Sequence, residues 1–240
     1  MARRSYALHR WLNLLVGLQL MAWSLGGLIF ATHSIAWVRS EAGQSKQAAR
    51  SIPAHEVTLS PQAAAQRAAV AEPTRIVLGM LLDRPVYEVH DAQGARLVDA
   101  GTGEVLSPIP ETLAVEVARR DRAGQTDVRE ARSLSADPPT EYRDGELPAW
   151  RIELADDDNT HIYVSAATGR ITARRNDAWR RFDFFWMLHT MDYSGRDDFN
   201  HPLLIGAASL AVLSVCSGWF LWGLRIQRRR ARRRRRDTQT

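Results

Sequence analysis

The chain has 240 residues, enough for one large domain or two small ones, and its negative mean hydropathy hides two separate apolar runs. The net charge of +5 is equally uneven, because residues 1–11 hold three arginines and residues 225–240 hold nine arginines and one aspartate. The segment between these ends must therefore carry a net charge of −6. The single cysteine, Cys216, lies in the second apolar run, which excludes a disulfide-stabilised fold for the polar middle.

The first apolar run, residues 12–38, follows a basic N-terminus at residues 1–11 and predicts a transmembrane helix. It is too long for the core of a cleaved signal peptide and lacks an A-x-A site, so we interpret it as an anchor. Small and polar residues recur at helical spacing and predict close helix packing. One stripe contains His9, Asn13, Gly17, Ser24, Gly27 and Ala31, and a second contains Gln19, Gly26 and His33.

After a polar linker at residues 39–56, the pattern predicts two similar α+β units, residues 57–109 and 110–177. Ser60 followed by Pro61 is typical of a helix start. The predicted helices start at Pro61 and cover 112–122, and the predicted strands cover 75–82, 86–91, 95–99, 127–134, 149–154 and 160–165. Each unit is too small for a sizeable core, so we expect the two to pack together. We also expect an open sheet edge, such as Val86–Asp91, to accept a peptide strand.

The last part of the chain comprises an aromatic and acidic segment at residues 178–202, a charge-free run at 203–224 and an arginine-rich tail at 225–240. The charge-free run predicts a second transmembrane helix of about 33 Å. Its small residues are expected to pack against Gly17, Ser24 and Gly27 of the first helix. They are Ala207, Ala211, Ser214 and Gly218.

The arginines also predict the orientation of the chain. Arginine next to a membrane span stays on the cytoplasmic side, so both termini should be cytoplasmic and residues 39–202 outside. The tail is expected to contact anionic membrane lipid rather than nucleic acid. The second small-residue stripe on the first helix suggests a further helix, which would make the protein a homodimer.

Four histidines lie near the predicted membrane faces: His33, His189 and His201 at the outer face and His9 at the inner face. Neutral imidazole can ligate the iron of haem b from two sides. An inner haem would need His9 from two subunits, because the second span has no histidine there. The alternative is that these histidines form hydrogen bonds at helix ends.

A metal site is a further hypothesis for the same segment. His189 and Asp192 are three residues apart, and Asp197 and His201 are four apart, so each pair would share a face if the segment were helical. The alternative is that the segment forms a turn and caps the next helix. No nucleophile elbow, H-E-x-x-H, P-loop or dinucleotide motif occurs, so no catalytic residue is predicted.

Several ordered motifs resemble a known family. YEV followed by VDAGTGEV is similar to a PepSY domain. YVSAATGRITARRND followed by FDFFWMLHTMDYSGRDDFNHPLL resembles the C-terminal part of PepSY-associated transmembrane proteins. The resemblance covers about residues 57–224 and implies a periplasmic tandem of cystatin-like units, each a helix on an antiparallel sheet, anchored in a bacterial inner membrane by two helices.

The resemblance implies two alternative functions. Some PepSY domains inhibit or assist peptidases, which favours a non-enzymatic domain that binds a protein or peptide partner. Larger relatives with four spans resemble ferric-siderophore reductases that carry electrons through membrane haems. The second function would make the protein an oxidoreductase linked to iron uptake, but this chain departs from those relatives in having two spans.

Overall fold

The structure, a computed structural model, describes residues 2–39, 41, 44, 51–122 and 127–237. The side chains of residues 2–10, 12, 221, 224 and 228–237 are not described. The chain forms two compact units. The helical unit comprises Met1–His33 and Phe182–Thr240, and the α+β unit comprises Ser34–Arg181.

The helical unit contains α1 (Ala2–Thr32), the second part of α5 (Asp177–Thr190) and α6 (Pro202–Asp237). The predicted continuous helix over residues 12–38 is too long at its C-terminal end, because α1 ends at Thr32. Ser34 begins a separate short helix, α2 (Ile35–Val38), and its hydroxyl accepts a hydrogen bond from the backbone N–H of Trp37. A side chain that caps a new helix in this way satisfies an otherwise unpaired N–H group.

Within the helical unit, α1 contacts α6 through a polar pair. The Ser214 hydroxyl forms a hydrogen bond with the side-chain oxygen of Asn13. Val16 on α1 and Ala211 on α6 are buried. Small and polar residues therefore form part of this helix contact, as expected for helices that pack closely in lipid.

The C-terminal end of α5 is held by side chains from α1. The indole N–H of Trp23 donates to the carbonyl of His189 at 2.9 Å, and the amide of Gln19 donates to the carbonyl of Leu188 at 3.3 Å. The last carbonyls of a helix have no partner within the helix, so these two bonds satisfy groups that would otherwise remain unpaired.

The α+β unit contains a three-stranded and a four-stranded antiparallel sheet, with strand orders β1-β2-β3 and β4-β5-β6-β7. The strands are β1 (Arg75–Leu81), β2 (Arg84–Asp91), β3 (Gly94–Asp99), β4 (Val128–Leu134), β5 (Ala149–Leu154), β6 (His161–Ser165) and β7 (Ile171–Arg175). Helix α3 (Pro61–Arg67) precedes the first sheet, and α4 (Glu111–Asp121) precedes the second. The α+β fold class is therefore confirmed.

Local sequence explains the start of each of these helices. The Ser60 hydroxyl accepts the backbone N–H of Ala63, and Pro61 occupies the first turn, which confirms the predicted helix start. Helix α4 has Glu111 in its first turn and Arg119 and Arg120 in its last. These charges are favourable at the positive and negative ends of the helix dipole.

Two features of the sheets differ from the sequence analysis. The predicted open edge at Val86–Asp91 is wrong, because this segment belongs to β2, which pairs with β1 on one side and β3 on the other. Strand β7 was not among the predicted strands. It continues the second sheet through antiparallel pairing with β6.

An aromatic side chain links each sheet to the helix that precedes it. The Tyr87 hydroxyl on β2 donates to the carbonyl of Leu59 at 3.0 Å, just before α3. The Trp150 indole on β5 donates to the carbonyl of Ile109 at 2.9 Å, just before α4. The two sheets therefore use the same contact at equivalent positions.

A Thr-Gly turn follows one strand of each sheet, at Thr102-Gly103 and at Thr168-Gly169, and the two turns have the same geometry. Gly103 and Gly169 adopt positive φ angles of 77° and 69°, which glycine adopts without the strain caused by a Cβ atom. The N–H of Gly103 donates to the carbonyl of Asp99 at 2.9 Å, and that of Gly169 donates to the carbonyl of Ser165 at 2.8 Å. Each turn thus closes the strand that precedes it in the same way.

The main hydrophobic core joins the two sheets, in agreement with the expectation that the units pack together. It combines residues of the first sheet, of α4 and of the second sheet: Val86, Leu97, Ala114, Val117, Ile152 and Ile162. Neither sheet has to supply a complete core alone, which is how small units reach sufficient burial.

Candidate functional site

A cleft of about 690 Å³ lies between the two sheets of the α+β unit. Leu81, at the end of β1, contributes to its wall and packs toward the Thr-Gly turn of the second sheet. A Cβ atom on Gly169 would lie only 2.9 Å from the Leu81 side chain, so glycine is required for this approach. The cleft is thus built from the β1–β2 hairpin on one side and the β6–β7 turn on the other.

Arginine–carboxylate pairs line the cleft. Arg170 donates from Nε to the buried Glu88 carboxylate at 2.5 Å, and Arg174 donates to both oxygens of Asp121 at 2.9 and 2.6 Å. Burying a carboxylate is costly unless it is paired, so each arginine stabilises one acid. Arg170 is nevertheless 60% exposed, and its two terminal nitrogens have no hydrogen-bond partner among the described residues. It can therefore donate to a further carboxylate.

The outer edge of β1 borders this cleft. Met80 pairs with Pro85, which has no N–H, and the Pro85 carbonyl accepts the N–H of Ala100 on the opposite side. Because hydrogen-bonded and non-hydrogen-bonded pairs alternate in antiparallel sheets, Ile76, Leu78 and Met80 point their N–H and C=O groups away from β2. None of these groups has a hydrogen-bond partner in the described part of the chain. We refer to this side of β1 as the open edge.

A second polar cluster is centred on Glu141. Its carboxylate accepts hydrogen bonds from His161 Nδ1 at 2.5 Å, the Tyr163 hydroxyl at 2.6 Å and Arg180 Nε at 2.7 Å. Burial raises the pKa of Glu141, but the bonds from His161, Arg180 and Tyr163 lower it more, so that the pKa falls to about 2. Burial and the Glu141 carboxylate raise the pKa of Tyr163 above its usual range. Glu141 is therefore ionised and Tyr163 protonated at neutral pH, which favours a structural role over proton transfer.

The predicted histidines differ in their surroundings. His33 is exposed, and its Nδ1 donates to the carbonyl of Ile29 at 2.9 Å. His201 Nδ1 accepts the N–H of Leu203 at 3.3 Å. The side chain of His9 lies outside the described residues.

His189 lies among aromatic rings in the helical unit. The ring centroids of Trp23, Phe30 and Trp186 are 6.1, 6.0 and 6.4 Å from that of His189. Its Nδ1 is buried and has no hydrogen-bond partner in the described part of the chain. Three aromatic rings of the helical unit thus surround the His189 side chain.

Asp192 organises the loop between α5 and α6. Its carboxylate accepts backbone N–H groups from Ser194, Gly195, Asp197 and Asp198, at 3.0 to 3.2 Å. Burial raises the pKa of Asp192, but the bonds from Asp198, Gly195 and Ser194 outweigh this effect, so the pKa lies below its usual range. This carboxylate acts as a loop cap.

Metal binding has no support in the geometry of this segment. Within residues whose side chains are described, no group of three or more His, Cys, Asp or Glu is arranged to hold a metal ion. The predicted set lies partly in α5 and partly in the loop that Asp192 caps: His189, Asp192, Asp197 and His201. Because α5 ends at Thr190, His189 and Asp192 do not share a helix. Asp197 and His201 both lie in the loop before α6 begins at Pro202.

The predicted packing residues fall into two groups. Ala211 is buried, Ala207 is partly buried and Ser214 bonds to Asn13. A Cβ atom on Gly17, Gly27 or Gly218 would meet nothing within 4 Å, and Ser24 is exposed. This second group thus faces away from the other described helices of the chain.

The cleft arginines and the Glu141 cluster were not found from the sequence. Arg170 and Glu88 are 82 positions apart, and Arg180 and Glu141 are 39 apart, so no local spacing indicates either pair. The motif YVSAATGRITARRND includes Arg170 and Arg174, but it does not indicate their acidic partners.

The fold and the helices define a class of protein: an α+β unit in a chain with two helices long and apolar enough to cross a membrane. These candidate spans are Asn13–Thr32 and Pro202–Gln227. The family model of the PepSY-associated TM region matches residues 6–239, so the chain belongs to this family of membrane-associated PepSY proteins. No curated protein and no solved structure matches the chain.

Proposed function

We propose that the α+β unit binds an extended polypeptide segment of a partner protein while the two apolar helices anchor it in a bacterial inner membrane. The observation that carries this proposal is the cleft beside the open edge of β1, which combines unpaired backbone groups with an exposed arginine. An extended chain satisfies such an edge through main-chain hydrogen bonds. The resemblance to PepSY domains supports a peptidase as the partner.

The orientation belongs to the same proposal. With arginines near both termini held in the cytoplasm, the α+β unit would lie in the periplasm. Exposed apolar residues of α6, such as Trp219 and Phe220, would contact lipid. The open faces of Gly17 and Gly27 on α1 support contact with a second copy. The sequence placed this contact at the stripe of Gln19, Gly26 and His33 instead, but Gln19 bonds to the Leu188 carbonyl of α5.

We also propose that the two sheets are copies of one cystatin-like module. The matched bonds of Tyr87 and Trp150, together with the matched turns at Gly103 and Gly169, support this relationship. A module that is duplicated around one core places a cleft at the junction of the copies, which is where a partner segment would enter.

The binding function can be tested with the full chain in lipid nanodiscs. A random peptide library displayed on phage is selected against these nanodiscs, with empty nanodiscs as the control. We expect peptides with a shared pattern to be enriched only by the protein. If the library shows no enrichment over empty nanodiscs, the proposed function is wrong.

Haem binding is the second candidate, favoured by the buried Nδ1 of His189, which has no hydrogen-bond partner among the described residues. It would make the protein an electron carrier linked to iron reduction. The optical spectrum of the chain purified from haem-supplied cells tests it. A Soret band that disappears in a His189→Ala variant supports the candidate, whereas a spectrum without this band excludes it.

A further inference from the structure

We propose that the partner segment adds to the first sheet as a fourth strand along the open edge of β1, with alternating acidic and apolar side chains. This inference rests on the proposed function and assigns its site. β1 spans seven residues, or about 23 Å, and has no strand partner on its outer side among the described residues.

The edge strands of the two sheets differ in the number of charged residues that would prevent pairing with another strand. Natural proteins place charges on edge strands to prevent unwanted pairing. β3 contains Arg96 and Asp99, β7 ends in two arginines, and β4 contains three charged residues. In contrast, β1 has no charge from Ile76 to Leu81. β1 is therefore the described edge strand that is best suited to accept another strand.

The backbone of β1 supplies the main contacts. The outward N–H and C=O groups of Ile76, Leu78 and Met80 are spaced two residues apart, as an added strand requires. The amides of Val77 and Gly79 point toward β2 and are already paired in the sheet. This alternation predicts which amides will respond to the added strand.

The two faces of the edge select different side chains. Ile76 and Leu78 pack with the apolar cluster beneath α3, so an added strand would extend that face with apolar side chains. Val77 and Gly79 lie on the opposite face, as does Glu88, the cross-strand partner of Val77. Arg170 bonds to Glu88 there, and its free N–H groups suit acidic side chains.

Gly79 supports a close approach on the cleft face. It occupies the interior of β1, where glycine usually weakens a strand or marks the approach of another backbone or ligand. A Cβ atom at this position would meet nothing within 4 Å. Glycine is therefore not required by packing within the described chain, and the space is available to a partner side chain.

The test measures hydrogen exchange of the full chain in detergent with a synthetic probe, acetyl-Val-Glu-Val-Glu-Val-Glu-Val-amide. We expect the probe to slow exchange at the amides of Ile76, Leu78 and Met80 and to leave Val77 and Gly79 unchanged. A control probe with lysine in place of each glutamate keeps the backbone but should bind at least about ten-fold more weakly, because it places cations near Arg170.

A pair of variants tests the backbone contact. Met80→Pro removes an outward N–H without removing a bond to β2 and should weaken probe binding by roughly five- to ten-fold, whereas Met80→Leu retains the N–H and should bind normally. Equal binding of the two probes overturns the inference even if Met80→Pro does not fold.

Three other outcomes of the exchange experiment also overturn the inference. Binding with protection away from β1 would leave the proposed function intact but place its site elsewhere. Protection of the edge in the free chain that increases with protein concentration would assign the edge to a second copy. Protection that is independent of concentration would assign it to the chain itself. If the phage selection also fails, the proposed function is lost as well.

Discussion

Glu141 connects two distant elements of the α+β unit through its carboxylate. It accepts hydrogen bonds from β6, through His161 and Tyr163, and from α5, through Arg180. Its backbone carbonyl also accepts a bond from Arg175 Nε at 2.6 Å. A partly buried carboxylate with this many donors is stabilised in its ionised form.

The pKa of Glu141 makes stability depend on acid pH. The pKa falls from its ordinary value of 4.5 to about 2 on folding, so the stabilisation is complete above pH 4.5 and is lost as the pH falls toward 2. We expect the Glu141→Gln variant to lose about 3 kcal/mol at neutral pH and the difference from the wild type to shrink below pH 4.5.

Chemical unfolding of the full chain in detergent, followed at several pH values, measures this effect. Glu130→Gln on β4 is the control, because Glu130 is exposed and its substitution should change stability little. A Glu141→Gln variant that unfolds like the wild type at neutral pH would contradict the structural role of the carboxylate.

At the scale of single elements, we expect one substitution in β1 to raise the stability of the sheet and to weaken binding of the probe. Gly79 has no positive φ angle and open space around its Cβ position, so Gly79→Val should stabilise the sheet by about 1 kcal/mol. The same isopropyl group would occupy the cleft face and weaken binding of the glutamate-containing probe. Thermal unfolding and probe titration of the same sample measure both effects.

Gly94 provides the matched control for this prediction. It also has no atom within 4 Å of its Cβ position, but its φ angle is +138°, which a valine adopts only with strain. Gly94→Val should therefore destabilise the sheet without reducing probe affinity in the folded chain. If Gly79→Val lowers stability or leaves probe binding unchanged, the geometry proposed for β1 is incorrect.

The pairing of α1 with α6 can be tested at the same scale. A double-mutant cycle of Asn13→Leu and Ser214→Ala should give a coupling energy of about 0.6 kcal/mol, as is typical for hydrogen bonds between membrane helices. Reversible unfolding in mixed micelles measures it. Ser24→Ala, at an exposed position of α1, should show no coupling with Ser214→Ala.

Sequence patterns correctly predicted most strands and the start of α3, because alternating apolar residues and helix caps are local signals. Ser60 and Pro61 illustrate this, since both act within one helical turn. The order of the strands is not local, and the open edge was therefore assigned to β2 rather than to β1. Helix α5 was not among the predicted helices, although the aromatic residues of the segment at 178–202 form part of it and pack on α1.

At the scale of the whole chain, exposed apolar residues and charged residues lie in separate segments. Apolar side chains of α6 remain exposed, including Leu213, Trp219 and Phe220, whereas the α+β unit buries its apolar residues in a core. A soluble protein rarely exposes so large an apolar surface, so this contrast supports the assignment of α6 to lipid. The arginines next to both spans predict that the α+β unit lies on the periplasmic side.

The side of the membrane on which the α+β unit lies can be measured directly by labelling single cysteines. Cys216 is the only cysteine, so a Cys216→Ser chain can carry a new cysteine either at Gln93, in the exposed β2–β3 turn, or at Thr240. We predict that a membrane-impermeant maleimide added to intact spheroplasts labels the Gln93→Cys chain and labels the Thr240→Cys chain only after lysis. Labelling of Thr240→Cys in intact spheroplasts, with Gln93→Cys protected until lysis, would contradict the account.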